Sequence, residues 1–268
     1  MPGTVRILRC TGDRGTEDQD AVAIEQPMEI RVNAESLAVT MRTPGNDFEL
    51  AAGLLYAEGL ITCAADLLVI KRDQDPANAD RENTILTAVK PWDQGVRSAD
   101  ERSLLATSSC GICGKKDIAS TRCLAAPLPP SDFQVAPAAL YGMAAAMRAE
   151  QHIFSATGGL HAAGLFDARG MLLSLREDIG RHNAVDKLIG AELLAGRLPL
   201  TGRILLISGR ASYEILQKAA VARIPIVCAV SAPSSLAVQM ANDLNITLIG
   251  FLRNETMNIY SAPDRIGM

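Results

Sequence analysis

Residues 203–251 read RILLISGRASYEILQKAAVARIPIVCAVSAPSSLAVQMANDLNITLIGF. Three short aliphatic runs stand in this stretch, at 203–208, 225–230 and 247–251. Each is continuous rather than alternating, as expected of strands buried on both faces. Between them, YEILQKAAVA and LAVQMANDL carry strong helix formers at amphipathic spacing. Strands that alternate with helices imply a parallel or mixed sheet covered on both sides. Ligands then sit beyond the strand C-terminal ends. The turns at those ends contain Ser208-Gly209-Arg210 and Ala232-Pro233-Ser234-Ser235, and the last run leads into Phe251-Leu252-Arg253.

Outward from this core, residues 135–200 extend the same pattern. PAALYGMAAAMRAEQHIF predicts an amphipathic helix, and Thr157-Gly158-Gly159 follows it. LHAAGLFDARGMLLSLRED predicts a hairpin of two strands, and AVDKLIGAELLAG a helix opened by Ile179-Gly180-Arg181-His182-Asn183. Closer to the N-terminus, 21–43 alternates as two strands joined at 33–36, and DFELAAGLLYAEGLI carries helical spacing that Asn46 or Asp47 can cap. Further strands are expected at 67–71 and 84–90. Four parts result: a flexible arm at 1–20, a small α+β unit at 21–105, a connecting loop at 106–134 and an α/β core at 135–268.

The chain has 268 residues, of which 48% are hydrophobic, so it can bury a core without disulfides. Its 26 Lys and Arg against 30 Asp and Glu give a net charge of −4, unlike the basic balance of a bulk nucleic-acid binder. The first twenty residues turn polar and acidic before any apolar stretch forms, and no run approaches the ~20 apolar residues of a spanning helix. A cytoplasmic location is expected. The 6 Cys are unevenly spread, with Cys110, Cys113 and Cys123 clustered and Cys10, Cys63 and Cys228 scattered. The scattered three and Cys123 read as packing residues.

Cys110-Gly-Ile-Cys113-Gly is the most specific local signal. Small neighbours keep the sulfurs accessible, and Lys115 and Lys116 favour thiolate over thiol. A structural zinc site needs four ligands, and only Cys123 and isolated histidines stand near. A thioredoxin-like pair belongs at the first strand-to-helix turn of a βαβ unit, not in a mid-chain loop. Zinc and a redox pair therefore stand as the less favoured readings, beside a nucleophilic or sulfur-carrying cysteine and a pair of ordinary loop thiols. Gly114-Lys115 lacks the Gly and the Ser or Thr of a phosphate loop, and 158–164 does not fit G-x-G-x-x-G. The zinc deaminase signature fails too: no Glu follows His161, and Ser109, not Pro, precedes Cys110.

Arg176-Glu177-Asp178-Ile-Gly180-Arg181-His182-Asn183 concentrates groups that bind anions or move protons, at the start of a helix whose dipole favours anions. Ordinary capping by Asp178 or Asn183 explains the same residues. The serines at 208–212 and 231–235 carry the same two readings, phosphate cradle or cap. His161 alone reads as a satisfied core residue, yet the two glycines before it allow a backbone to approach a ligand.

Taken in order, SSCGICG, TGGLHAAGLF, REDIGRHNAVDKLIG, SGRASYEILQKAA, APSSLAV and GFLRNETMNIY resemble the formate dehydrogenase accessory protein family, FdhD. The resemblance extends over nearly everything after residue 20. Ala222-Arg223-Ile224-Pro225 and Leu54-Leu55-Tyr56 depart from common family wording without touching the motifs.

The resemblance implies an α/β, cytidine-deaminase-like three-layer core with a mixed sheet, without the deaminase zinc. It implies a sulfurtransferase that accepts persulfide sulfur from a cysteine desulfurase. The recipient would be the molybdenum or tungsten bis(molybdopterin guanine dinucleotide) cofactor of formate dehydrogenase. Cys110 would carry sulfur and Cys113 would activate or resolve it. Phe251, Leu252, Arg253, Asn254, Glu255 and Thr256 would bind the cofactor. Gly158, Gly159, Arg210, Ser234 and Ser235 would hold its nucleotide ends, while His161, Asp178, Arg181 and His182 would shape the site around its metal. No structural metal is expected, and a homodimer is. The rival from another class is a chaperone that inserts the cofactor without sulfur chemistry.

Overall fold

The computed structural model describes residues 2–73, 83–90 and 125–267. Its largest sheet has six strands: β7 (His161–Phe166), β8 (Leu172–Asp178), β9 (Ile204–Ile207), β10 (Ile226–Ala229), β11 (Thr247–Arg253) and β12 (Thr256–Ser261). The spatial order is β12-β11-β10-β9-β7-β8. β9, β10 and β11 are parallel, while β7 runs against β9 and β12 runs against β11. The fold is therefore mixed α/β, as the strand–helix alternation predicts. β12 is an addition: the sequence places Asn258-Ile259-Tyr260 in a tail, whereas these residues pair back onto β11.

Alternate side chains of each central strand enter different cores. Leu205, Ile207, Val227 and Ala229 pack with α5 (Arg181–Leu194), α6 (Tyr213–Val221) and α7 (Ser235–Asp243). Ile204, Leu206, Ile226 and Cys228 pack with α2 (Pro137–Tyr141) and α3 (Met143–Glu150) on the other side. Both faces are thus dry, which is why these strands read as unbroken aliphatic runs. The single helix expected from PAALYGMAAAMRAEQHIF is three segments, α2, α3 and α4 (His152–Thr157), divided at Gly142 and Gln151.

The N-terminal unit has a four-stranded sheet ordered β4-β3-β6-β5. Its strands are β3 (Gln26–Val32), β4 (Glu35–Arg42), β5 (Leu67–Arg72) and β6 (Thr84–Val89), with α1 (Asp47–Ala57) after β4. It does not stand apart: one hydrophobic cluster joins Ile30, Leu50 and Leu55 to Val185, Leu188 and Leu205. α1 lies along α5 so closely that a Cβ on Gly53 would strike the Asp186 carbonyl, and one on Gly190 the Glu49 carbonyl. Glycine is what lets the two backbones touch. Asn46 occupies the cap position of α1 without a side-chain cap hydrogen bond. Asp47 instead pairs with Arg42 at 3.0 Å and with Arg72.

Residues at 1–20, expected to be a flexible arm, form a hairpin of β1 (Gly3–Thr11) and β2 (Arg14–Val22). Its turn carries Gly12 at φ 59°. Charge alternation masked the strand pattern: Arg9 pairs across the hairpin with Asp18 at 2.7 Å. Of the scattered cysteines, Cys228 is buried as expected, and burial pushes its thiol up. Cys10 and Cys63 are exposed, so neither is a packing residue. Cys123 lies outside the described residues. Among the described residues, no helix is long and apolar enough to cross a membrane.

Replacing Gly190 with Ala forces α1 and α5 apart. The expected cost is about 1–3 kcal/mol in urea unfolding with an unchanged m-value. Gly202→Ala, where an added Cβ meets nothing within 4 Å, should stay within about 0.5 kcal/mol of wild type.

Candidate functional site at one end of the sheet

Strand polarity gathers the candidate residues. The C-terminal ends of β9, β10 and β11 point one way. Because β7 is antiparallel to β9, its first residue, His161, arrives at that same end, and His161 pairs with Asp178, the last residue of β8. Two features sit here. One is a cavity of about 530 Å³ walled by α3, α4, the start of β7 and the residues that follow β8, β9 and β10. The other is the β11–β12 turn, three strand spacings away, roughly 14 Å.

Met147, Phe154, Leu160 and Val230 give the cavity an apolar wall, and Arg148, Gln151, His161 and Ser208 supply polar groups. The Arg148 guanidinium lies 4.5 Å from the centre of the Phe154 ring, a cation–π contact. Gly158 and Gly159 form the rim. Gly158 ends α4 at φ 68°, the left-handed conformation that closes a helix at little cost for glycine. His161 is half-buried, with Nδ1 3.4 Å from the Ser208 hydroxyl. Burial, then the charges of Arg181 and His182, hold its imidazole below the usual histidine range, against the opposing pull of Asp178.

The start of α5 divides into structural and accessible groups. Asp178 is 0% exposed. Its Oδ2 accepts from Lys187 Nζ at 2.7 Å and from the Thr43 amide at 3.1 Å. Its Oδ1 accepts from the Gly180 amide at 2.8 Å and from Asn183 Nδ2 at 3.1 Å. With both oxygens committed, Asp178 braces the turn from below rather than facing a ligand. His182 is 6% exposed and faces α6: its Nε2 lies 2.8 Å from Glu214 Oε2 and 3.1 Å from Ser212 Oγ. Burial raises the Glu214 pKa, but the hydrogen bond and charge of His182, with Lys218 and Arg181, outweigh it and leave the carboxyl below its ordinary value. Glu214 Oε1 and Arg181 Nε are buried and hydrogen-bond to nothing among the described residues.

The turns after β9 and β10 are stitched together. The Ser234 amide donates to the Ala211 carbonyl at 2.9 Å, and the Ala211 amide to the Ala232 carbonyl at 3.2 Å. Ser234 Oγ accepts from the Ala237 amide at 3.2 Å, so this serine caps α7. Arg210 and Ser235 are exposed. In the β11–β12 segment, Phe251 has φ 53° and Asn254 φ 52°. Arg253, Asn254, Glu255 and Thr256 are exposed, whereas Leu252 is fully buried, which leaves only its backbone able to reach a ligand. The sequence did not single out Phe154, Gln151 or Glu214. The pattern marks them as helix residues, and only the packing of α4 and α6 against the strand ends turns them inward. Cys110 and Cys113 lie outside the described residues.

Known proteins match this chain along almost its whole length. The model of the FdhD/NarQ family matches residues 23–267. "Sulfur carrier protein FdhD" of Streptomyces coelicolor is 45% identical over 270 residues, covering 98% of this chain and 95% of that protein. The protein of the same name from Saccharolobus solfataricus is 39% identical, covering 97% of this chain and 96% of its own. A crystal structure of a proposed formate dehydrogenase accessory protein from Desulfotalea psychrophila superposes with a TM-score of 0.79 at 26% identity, covering 99% of both chains.

Two outcomes separate brace from binding surface. Asp178→Asn leaves the Lys187 ammonium buried without its counter-charge and should cost about 3–5 kcal/mol, while exposed Arg210→Ala should change unfolding free energy by less than about 0.5 kcal/mol. A second check uses pH. Because the folded Glu214 pKa is lowered, its contribution to stability is present above the ordinary glutamate pKa and is lost as pH falls through the folded value. Glu214→Gln should therefore show a shallower loss of stability than wild type below about pH 4.5, measured by urea midpoints from pH 7 to pH 3.

Proposed function

The chain belongs to the FdhD/NarQ family, and on that premise we propose that it is a sulfur carrier that serves formate dehydrogenase. The observation that carries the proposal is the near full-length match to relatives named sulfur carrier protein. In the finer form, Cys110 receives persulfide sulfur from a cysteine desulfurase. The protein passes it to the molybdenum or tungsten bis(molybdopterin guanine dinucleotide) cofactor, which is cargo and not a resident group.

The chemistry asked of the chain is modest. A Cys110 thiolate attacks the outer sulfur of the donor persulfide; the donor S–S bond breaks, and the donor cysteine leaves as thiolate. One persulfide is consumed and one is formed, so no net oxidant is needed. Lys115 and Lys116 beside the pair favour the reactive thiolate. Cys113 can then attack the Cys110 sulfur, which expels the outer atom as hydrosulfide and leaves a disulfide for a cellular thiol reductant to reopen.

The sheet end supports the cargo half of the reading. A dinucleotide cofactor has two widely spaced phosphate-bearing arms, and this end offers two separated surfaces. The glycine rim, His161 and Arg181 would meet one arm, and Arg210, Ser235 and the exposed part of 251–256 the other. Arg181, with a buried Nε that no described group satisfies, fits an anionic ligand. The layering of helices on both faces of a mixed sheet supports the cytidine-deaminase-like core. A cytoplasmic homodimer belongs to the same proposal.

The test incubates the purified protein with a cysteine desulfurase and cysteine, then weighs the peptide spanning Cys110 and Cys113. A gain of one sulfur atom, lost in Cys110→Ala, is expected. Formate dehydrogenase made in cells carrying Cys110→Ala should fall to the activity of cells without the protein. Full activation by a Cys110→Ala/Cys113→Ala double variant would instead identify a chaperone that inserts the cofactor without sulfur chemistry.

A further inference from the structure

Ser208 ends β9 and is fastened to the neighbouring strand twice. Its amide donates to the Ala162 carbonyl at 3.0 Å, and its Oγ accepts from the Ala162 amide at 2.9 Å. The second bond occupies an acceptor site on the hydroxyl and leaves the hydroxyl hydrogen to find a partner of its own. The neighbouring contact is His161 Nδ1, at 3.4 Å. The ring is held in place from another side as well. A Cβ at Gly209 would lie 3.4 Å from His161 Cε1 and from Nδ1, and 3.6 Å from Arg181 Cδ. The backbone of the β9 turn and the stem of Arg181 thus pack beside the imidazole, which lines the cavity.

We infer that Ser208 is a positioning residue that makes His161 Nδ1 the acceptor of its hydroxyl hydrogen, so that the imidazole carries its proton on Nε2 and offers that N–H to an acceptor atom in the cavity. The protonation state agrees with this geometry. Among the described residues, burial first and then Arg181 and His182 on α5 lower the pKa of the ring, and they outweigh Asp178 on β8, which raises it. A neutral imidazole with one nitrogen engaged has one defined donor. The ligand group that fits is an oxygen or sulfur acceptor, and the donor is oriented before the ligand arrives. This inference rests on the proposal that the sheet end receives the cofactor, but it is testable without it.

The chain has 3 histidines, which makes ring nitrogen NMR practicable. In 15N-labelled wild type at pH 7, His161 should show a protonated Nε2 and an unprotonated, hydrogen-bonded Nδ1. Ser208→Ala should convert it to a mixture of tautomers, and Ser208→Thr, which retains the hydroxyl, should restore the single form. With guanosine diphosphate as a probe of one cofactor arm in calorimetry, Ser208→Ala should weaken binding roughly fivefold and Ser208→Thr by less than about twofold, the scale of one neutral hydrogen bond. A wild-type His161 protonated on Nδ1, or a tautomer unchanged in Ser208→Ala, would overturn the inference. A correct tautomer pattern in a protein that does not bind the nucleotide would uphold the role of Ser208 and count against the cofactor reading.

Discussion

The ion pair between Asp178 and Lys187 ties three parts of this molecule together. Both side chains are buried, and both reach Thr43: Asp178 accepts from its amide, and Lys187 donates to its carbonyl at 2.8 Å. A charge pair taken out of water gains little stability in itself, because desolvation consumes most of the attraction. What it supplies here is registration. The end of β8, the first turns of α5 and the link between β4 and α1 are tied at one point. His161 lies across the ladder from Asp178, and Arg181 and His182 follow three and four residues later. Shifting that point would displace the cavity rim, the start of α5 and the N-terminal unit together.

Much of the fold was legible because burial on both faces leaves a plain trace. The strands at 203–208, 225–230 and 247–251 announce themselves as aliphatic runs, and the turns after them carry the small and polar residues that strand ends require. Elements whose stability comes from outside their own pattern were not legible. β12 is an edge strand with polar positions, and it exists because β11 offers it a ladder. The hairpin of β1 and β2 hides its alternation among paired charges.

The candidate site divided in the same manner. Motif density pointed to Asp178, Arg181 and His182 equally, since chemical type alone does not distinguish a buried brace from an exposed ligand. Packing separates them: Asp178 has no exposed surface, His182 turns toward Glu214, and Arg181 has a guanidinium nitrogen that finds no partner among the described residues. Ser234 showed the opposite ambiguity, cap or cradle, and its hydroxyl is engaged as a cap. The apolar wall of the cavity was invisible beforehand because Met147 and Phe154 look like any other helix residues until α3 and α4 are set against the strands.

The seam between α1 and α5 also bears on motion. At Gly53 and Gly190 the two helices meet backbone to backbone, with no side chains between them to slide or change rotamer. Such a junction transmits force but does not bend. The N-terminal unit and the sheet end are therefore joined by a contact that resists relative motion between them.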